Sequence, residues 1–291
     1  MSKGIDFSKR NIQIGGSEIA AVMGMSPYET PLSLWAKKTG KLPPSDLSNF
    51  EAAEIGTELE EYVARKFTRK TGIKLRVDNR TFRHPKHPYM IGHIDRWVVG
   101  EDAVFEAKTT SAWMEKHWQG DEIPQHYVLQ LMWYLGLCQK RVGHIAVLIG
   151  GQKFVYKQIE FDQELFEKMV ETAQVFMEQF VLKNVAPIAV EGDSETLLQM
   201  FPNSSPTELR LDGPLAEEMD GLVEERLGGL ESIRHAKEEL EKIEARIKQI
   251  IAENESAETL NVRVTWKTRN VKEHMVKATS FRVLTTKKRE G

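Results

Sequence analysis

At 291 residues, 41% of them hydrophobic and 29% charged, the chain can bury one sizeable core and carry an appendage, so two domains are expected. The net charge of −3 does not by itself advertise nucleic-acid binding, and the lack of any apolar run near the roughly 20 residues of a membrane span excludes a membrane-spanning helix. Cys138 stands alone, which excludes an internal disulfide, a four-cysteine zinc site and a four-cysteine iron–sulfur cluster; with a leading MSKGIDFSKRN that lacks a signal peptide's apolar core, the expected compartment is the cytoplasm.

Taken in chain order, the first 187 residues read as a mixed α/β domain. GGSEIAAVMG begins a helix with Ser17 as its cap, and ETPLSLWAKKTG begins another, capped by Thr30, opened by Pro31 and stopped by Gly40. A long helix from about Phe50 to Thr71 ends at Gly72. Strands are expected over about 73–83, 89–99 and 102–110, then a helix from about Pro124 to Cys138. HIAVLIG and FVYKQIEF form two more strands around Gly151-Gln152, and a helix from Gln163 to Leu182 closes the domain.

Residues 188–213, broken by prolines and acidic clusters, read as a linker. The remainder, 214–291, reads as a helical, coiled-coil-like module with a basic β-hairpin tail. Leu230, Ile233, Leu240, Ile243, Ile247 and Ile250 make an apolar stripe at helical spacing, which Lys237 and Gly228-Gly229 interrupt as a clean heptad. NVRVTWK and TSFRVLTT are expected to pair as the hairpin. From Val262 onward there are nine Lys/Arg against two Glu, a local excess that suits either a polyanion partner or a solvated terminus. Trp266 and Phe281 on that hairpin read as small-domain core before they read as base-stacking groups.

The chemistry concentrates in GHIDRWVVGEDAVFEAKTT. Folded as a hairpin around Gly100-Glu101, this stretch puts Asp95 opposite Glu106, with Lys108 two residues on and on the same face. Facing carboxylates repel. A hard divalent cation, Mg²⁺ or Mn²⁺, turns that repulsion into a binding site, and an adjacent ammonium can orient water and stabilise a phosphoryl transition state. Glu106-Ala107-Lys108 is set in an apolar strand, where idle charge is costly. Gln130 interrupts an otherwise apolar helix, so it points inward or at a ligand. On local spacing Glu60 reads as a solvated helix face. Arg10 and Ser17 flank the glycines of the first helix, as either a phosphate pocket or an ordinary cap.

Together these motifs resemble the YqaJ-like viral recombinase family, relatives of phage lambda exonuclease within the PD-(D/E)XK nuclease superfamily. The similarity runs from about Arg10 to Pro187, through IGGSEIAAVMG, Gly56-x-x-x-Glu60, GHIDRWV, FEAKT and Gln130-x-x-x-Tyr134. It implies a PD-(D/E)XK α/β core, a central mixed sheet flanked by helices. It implies metal ligation by Asp95, Glu106, the carbonyl of Ala107 and Glu60, with Lys108 polarising the attacking water and Gln130 holding water or the scissile phosphate. Arg10 and Ser17 would grip a 5′-phosphate. His93 stands where the lambda enzyme has a serine in that pocket, which puts strict 5′-phosphate preference in question.

The implied activity is Mg²⁺-dependent digestion of one strand of double-stranded DNA from a 5′ end, with Mn²⁺ as substitute. The implied partners are DNA ends and a single-strand annealing protein, with room for a homo-oligomer and none for a membrane. A nicking or structure-selective endonuclease at the same site is the nearest rival; a non-catalytic DNA-binding scaffold is the rival from another class. A zinc hydrolase built on His84, His87 and His93 lacks a partner carboxylate at a recognised spacing.

Overall fold

The computed structural model describes residues 12–44, 51–269 and 284–286. It divides into two units, Met1–Phe201 and Pro202–Gly291. Arg10 and Phe281 lie outside the described residues.

The first unit is built on a five-stranded sheet of order β1-β4-β5-β6-β7, comprising Leu75–Val77, Arg96–Val98, Ala103–Thr110, Val142–Ile149 and Lys153–Glu160. β5 and β6 run parallel and every other pairing is antiparallel. The parallel pair requires a crossover, which helix α4 (Gln125–Cys138) supplies. Because α4 covers one face and α3 (Glu51–Thr71) the other, β5 and β6 are buried along most of their length rather than on alternate residues. Phe105 and Ala107 pack under Val63, Ala64 and Phe67 of α3. On the opposite face Val104, Ile145 and Val147 join α1 (Ile19–Val22), α2 (Pro31–Lys38), α4 and α5 (Gln163–Val175).

Several elements differ from the sequence reading, each for a local reason. The strand expected over 89–99 breaks at His93–Asp95: β3 (Ile91–Gly92) pairs with β2 (Phe82–Arg83) in a separate ribbon, and only β4 enters the main sheet. Trp133 of α4 donates its indole N–H to the Ile91 carbonyl (2.8 Å), and Gly92 lies so close to α4 that a Cβ would meet Tyr134 at 3.2 Å and Leu137 at 3.0 Å. That attachment draws β3 out of the sheet plane. The strand expected over 73–83 splits at Asp78, whose carboxylate accepts from Arg80 and from the Trp97 indole. Those bonds hold its carboxyl well below the usual carboxylate range.

The closing helix changes pitch, with Phe176–Val181 wound more loosely than α5 and Leu182 N–H bonding to Met177 carbonyl at 2.9 Å. The segment expected as a linker carries helix α6 (Asp193–Met200). Asp193, 1% exposed, accepts from the Thr30 hydroxyl at the α2 cap and from Val190 N–H at 2.8 Å, so this part of the arm packs with the first unit. Prolines and acidic clusters marked it as linker; a buried carboxylate with two donors holds this part of it in place.

In the second unit, α7 (Gly213–Ile251) runs for 39 residues and ends in a short antiparallel pair, β8 (Ser256–Glu258) with β9 (Arg263–Thr265). The VRVT strand pairs with the residues before it; of TSFRVLTT, expected as its partner, 279–283 lie outside the described residues. Trp266 is half-exposed.

Candidate active site

The β4–β5 hairpin has the expected register: Arg96 pairs with Phe105 and Trp97 with Val104, which continues to Asp95 opposite Glu106. Gly100 takes the left-handed conformation (φ 85°) that the tight turn needs. Asp95 itself lies just beyond β4, anchored by the Ala107 N–H, which donates to its Oδ2 at 2.8 Å.

Glu106 is 3% exposed. Its Oε1 accepts from Lys108 Nζ (2.7 Å) and from Gln130 Nε2 (2.9 Å). Its Oε2 is buried with no hydrogen-bond partner. Burial, reinforced by the negative charge of Asp95, pushes its carboxyl up to about 8. Asp95 is raised as well by burial, against the pull of the Ala107 N–H, Lys108 and Arg96. Burial alone would draw Lys108 down; the Glu106 carboxylate more than offsets it and the ammonium is raised. The cluster therefore holds a proton that two ordinary carboxylates would have released.

Gln130 faces inward as expected, but both its amide hydrogens are used, on Glu106 and on the Tyr134 hydroxyl (3.0 Å). Its place is to orient Glu106. Glu60 is only partly exposed and is raised by burial and by the charge of Asp95, so it lies in the field of the site rather than in open solvent. Its neighbour Glu61 turns away to Arg96 (2.7 Å) and Arg65 (3.9 Å).

The phosphate pocket expected from Arg10, Ser17 and His93 is not assembled by the described residues. Arg10 lies outside them. Ser17 is exposed in a turn, and α1 starts only at Ile19 with Glu18 before it and no side-chain cap. The Gly15 N–H, counted as free for an anion, donates to Glu18 Oε2 (3.0 Å), and Lys38 Nζ clamps both Glu18 oxygens at 2.9 Å. His93 is exposed, with its Nε2 against the Thr81 hydroxyl at 3.0 Å. The zinc alternative fares no better: His84 Nδ1 accepts from the N–H groups of Lys86 and His87 within its own turn.

Sequence reasoning gave no role to Tyr134, Tyr127, His126, Arg96, Glu18 or Lys38. Tyr134, four residues from Gln130, lies on the same helix face, and that spacing was the available signal. Tyr127, three residues before Gln130, places its ring 5.3 Å from Lys108 Nζ. His126 beside it has a buried Nε2 with no partner. Nothing local marked the Lys38–Glu18 clamp.

Among the described residues, no three His, Cys, Asp or Glu side chains come together as a preformed metal cluster. The residues that fit a metal are the two opposed carboxylates: all-oxygen donors, one with an orphaned buried oxygen, both raised by burial. That donor set suits a hard divalent cation. Since ligation needs Glu106 ionised, cation affinity should rise about tenfold per pH unit below about 8 and level off above it. Calorimetric titration of Mg²⁺ or Mn²⁺ at several pH values checks this; a flat profile would remove Glu106 from the ligand set.

Comparison with known proteins bears on this geometry. Residues 7–141 match the family model described as the YqaJ-like viral recombinase domain. This stretch of the chain is similar to the YqaJ-like viral recombinase domain. The chain is 40% identical over 196 residues to the uncharacterized protein YqaJ of Bacillus subtilis (strain 168), covering 67% of this chain and 61% of that relative, so it spans about three fifths of the relative's length. The structure is similar to the crystal structure of an alkaline exonuclease (LHK-Exo) from Laribacter hongkongensis, with TM-score 0.51 and 16% identity over 62% of this chain and 92% of the other. A second structure, LHK-Exo in complex with dAMP, matches with TM-score 0.50 and 18% identity, covering 66% and 95%. At that identity the likeness speaks to the fold, which is the PD-(D/E)XK arrangement of a mixed sheet between helices. The YqaJ-like domain thus contains Glu60, Asp95, Glu106, Lys108 and Gln130 within its matched span, while β6, β7 and α5 complete the sheet beyond it.

Proposed function

We propose that this chain is a Mg²⁺-dependent DNA exonuclease that digests one strand of a duplex from its 5′ end and leaves a 3′ single strand for an annealing protein. The carrying observation is Glu106, buried opposite Asp95 in the hairpin register, its Oε1 held by Lys108 at 2.7 Å and its Oε2 without a hydrogen-bond partner. A carboxylate desolvated without a donor is costly, and a protein keeps one where a cation completes it. When bound, Mg²⁺, for which Mn²⁺ would substitute, supplies charge neutralisation and an acidified water.

The remaining work falls to the chain. Asp95 and Glu106, with the Ala107 carbonyl, hold the cation, and Glu60 adds negative charge on the α3 side for a second one. Lys108 stays an ammonium: it orients the attacking water and stabilises charge on the scissile phosphate instead of taking a proton. Gln130 and Tyr134 fix the Glu106 rotamer, as supporting groups around metal ligands do. A surface depression of about 560 Å³ beside Arg96, lined also by Arg65, Arg69 and Thr68, offers cationic footing for a phosphodiester backbone.

The 5′-end specificity has the weakest footing, because the Gly15 N–H is already occupied by Glu18 and Ser17 faces solvent. That observation keeps an endonuclease at the same site in play. A linear duplex with 5′-phosphates and the same sequence as a closed circle, incubated with Mg²⁺, separate the two. Degradation of the linear DNA alone, lost in Lys108→Ala and with EDTA, supports the exonuclease. A cut circle moves the reading to an endonuclease, and no metal-dependent loss of either DNA sinks both.

A further inference from the structure

Helix α7 exposes an apolar seam that no other described residue of its own unit covers. Ile233, Leu240, Ile243 and Ile250 are 53–65% exposed, Ile247 is 36% exposed, and Ala236 is exposed as well. These residues follow an unbroken alternation of three- and four-residue steps, the a and d positions of a coiled coil. Lys237 does not interrupt it, since Ala236 fills the d position and Lys237 falls beside the seam at e. The true breaks lie upstream, where the same register reaches Gly229 and Arg226. An exposed seam of this regularity is a docking face.

We propose that this seam pairs with a second copy of the same helix in antiparallel orientation. The flanking charges carry the argument. In an antiparallel pair, e positions face e positions and g positions face g positions. If Leu240 packs against the partner's Ile243, then Ala236 meets the partner's Ile247 and Ile233 meets the partner's Ile250. That register sets Lys237 against the partner's Glu244 and Glu239 against the partner's Arg246, and the two-fold axis repeats both attractions. All four charged residues are exposed; the contacts they make within α7, such as Lys242 to Glu239 (2.7 Å) and Lys248 to Glu244 (3.3 Å), are one-turn surface pairs that exchange easily.

The alternatives are disfavoured by the same residues. A slip of one heptad one way sets Lys237 against the partner's Lys237 and Glu239 against the partner's Glu239. A slip the other way sets Glu244 and Arg246 each against its own copy. A parallel in-register pair puts Glu239 beside the partner's Glu244, a repulsion made twice. Only one arrangement is attractive throughout, and charges flanking a seam are what set orientation and register in coiled coils. This inference is independent of the chemistry proposed for the carboxylate site.

Sedimentation equilibrium of the full chain tests it. The wild type should sediment at twice the 33.3 kDa chain mass. Glu244→Lys should weaken the dimer roughly tenfold or more, and Lys237→Glu with Glu244→Lys should restore it. In a parallel pair Glu244→Lys would instead tighten association, because it would meet Glu239. Ile243→Asp, exposed in the single chain, should give a folded monomer by circular dichroism. The proposal is overturned by a monomeric wild type up to about 100 µM, by another stoichiometry, by a dimer indifferent to Glu244→Lys, or by one that this change tightens.

Discussion

Glu106→Gln is expected to abolish cation binding and to cut metal-dependent DNA hydrolysis by about 10³-fold or more, because it removes the charge that ligation needs while keeping side-chain size. The same substitution should leave the metal-free fold intact, and the pH dependence of stability separates the two effects. A carboxyl raised to about 8 in the folded chain, against about 4.5 unfolded, makes the folded state the tighter proton binder. Wild-type stability from this source is therefore full at low pH and is lost as pH climbs from about 4.5 to 8. Glu106→Gln lacks that decline. Thermal unfolding of both proteins across this range, with and without Mg²⁺, reads it directly. If the variant still gains stability from Mg²⁺ as the wild type does, the cation does not reside on Glu106.

Gly16→Ala should damage the first unit and the site together. A Cβ there would meet the Tyr134 ring, with Cζ at 2.6 Å, and Tyr134 is itself held between Gly16, Gly92 and Gln130. Overpacking of that kind costs about 1–3 kcal/mol, roughly 2–10 °C in Tm at this size. Activity should fall further than stability explains, since a displaced Tyr134 frees Gln130 and with it the Glu106 rotamer. Combining Gly16→Ala with Tyr134→Ala should cost less than the sum of the two changes, because the clash disappears with the ring. Strict additivity would mean that the glycine is needed for the turn and not for the close approach. In that event the IGGSE motif would return to an anion-binding reading.

The matched span of the YqaJ-like domain and the carboxylate site are read from neighbouring residues, and that explains why the site was legible. Asp95, Glu106 and Lys108 lie on one short hairpin, whose register is fixed by a turn glycine and by strand alternation, both of which are local rules. The helices α3 and α4 were legible for a similar reason: their apolar faces are long and end at Gly72 or near Cys138. Gln130 stood out as a polar residue in an apolar helix, and it is indeed buried on Glu106.

What the tertiary structure alone decided are contacts between residues distant in sequence. Glu60 looked solvated because its own helix neighbours are charged; packing of α3 on the sheet brings it into the field of Asp95. The break in the 89–99 strand follows from Trp133 and the close approach of Gly92 to α4, some forty residues on. Asp193 looked like linker until Thr30 received it. Ser17 and the glycines read as an anion site or a helix cap, and in the structure Glu18 and Lys38 hold that loop. Periodicity and turn chemistry act within a few residues, whereas burial and charge pairing depend on which surfaces meet. The sequence by itself therefore determined the hairpin and its three charged groups, and the packing of α3, α4 and the glycine loop decided which other side chains attend them.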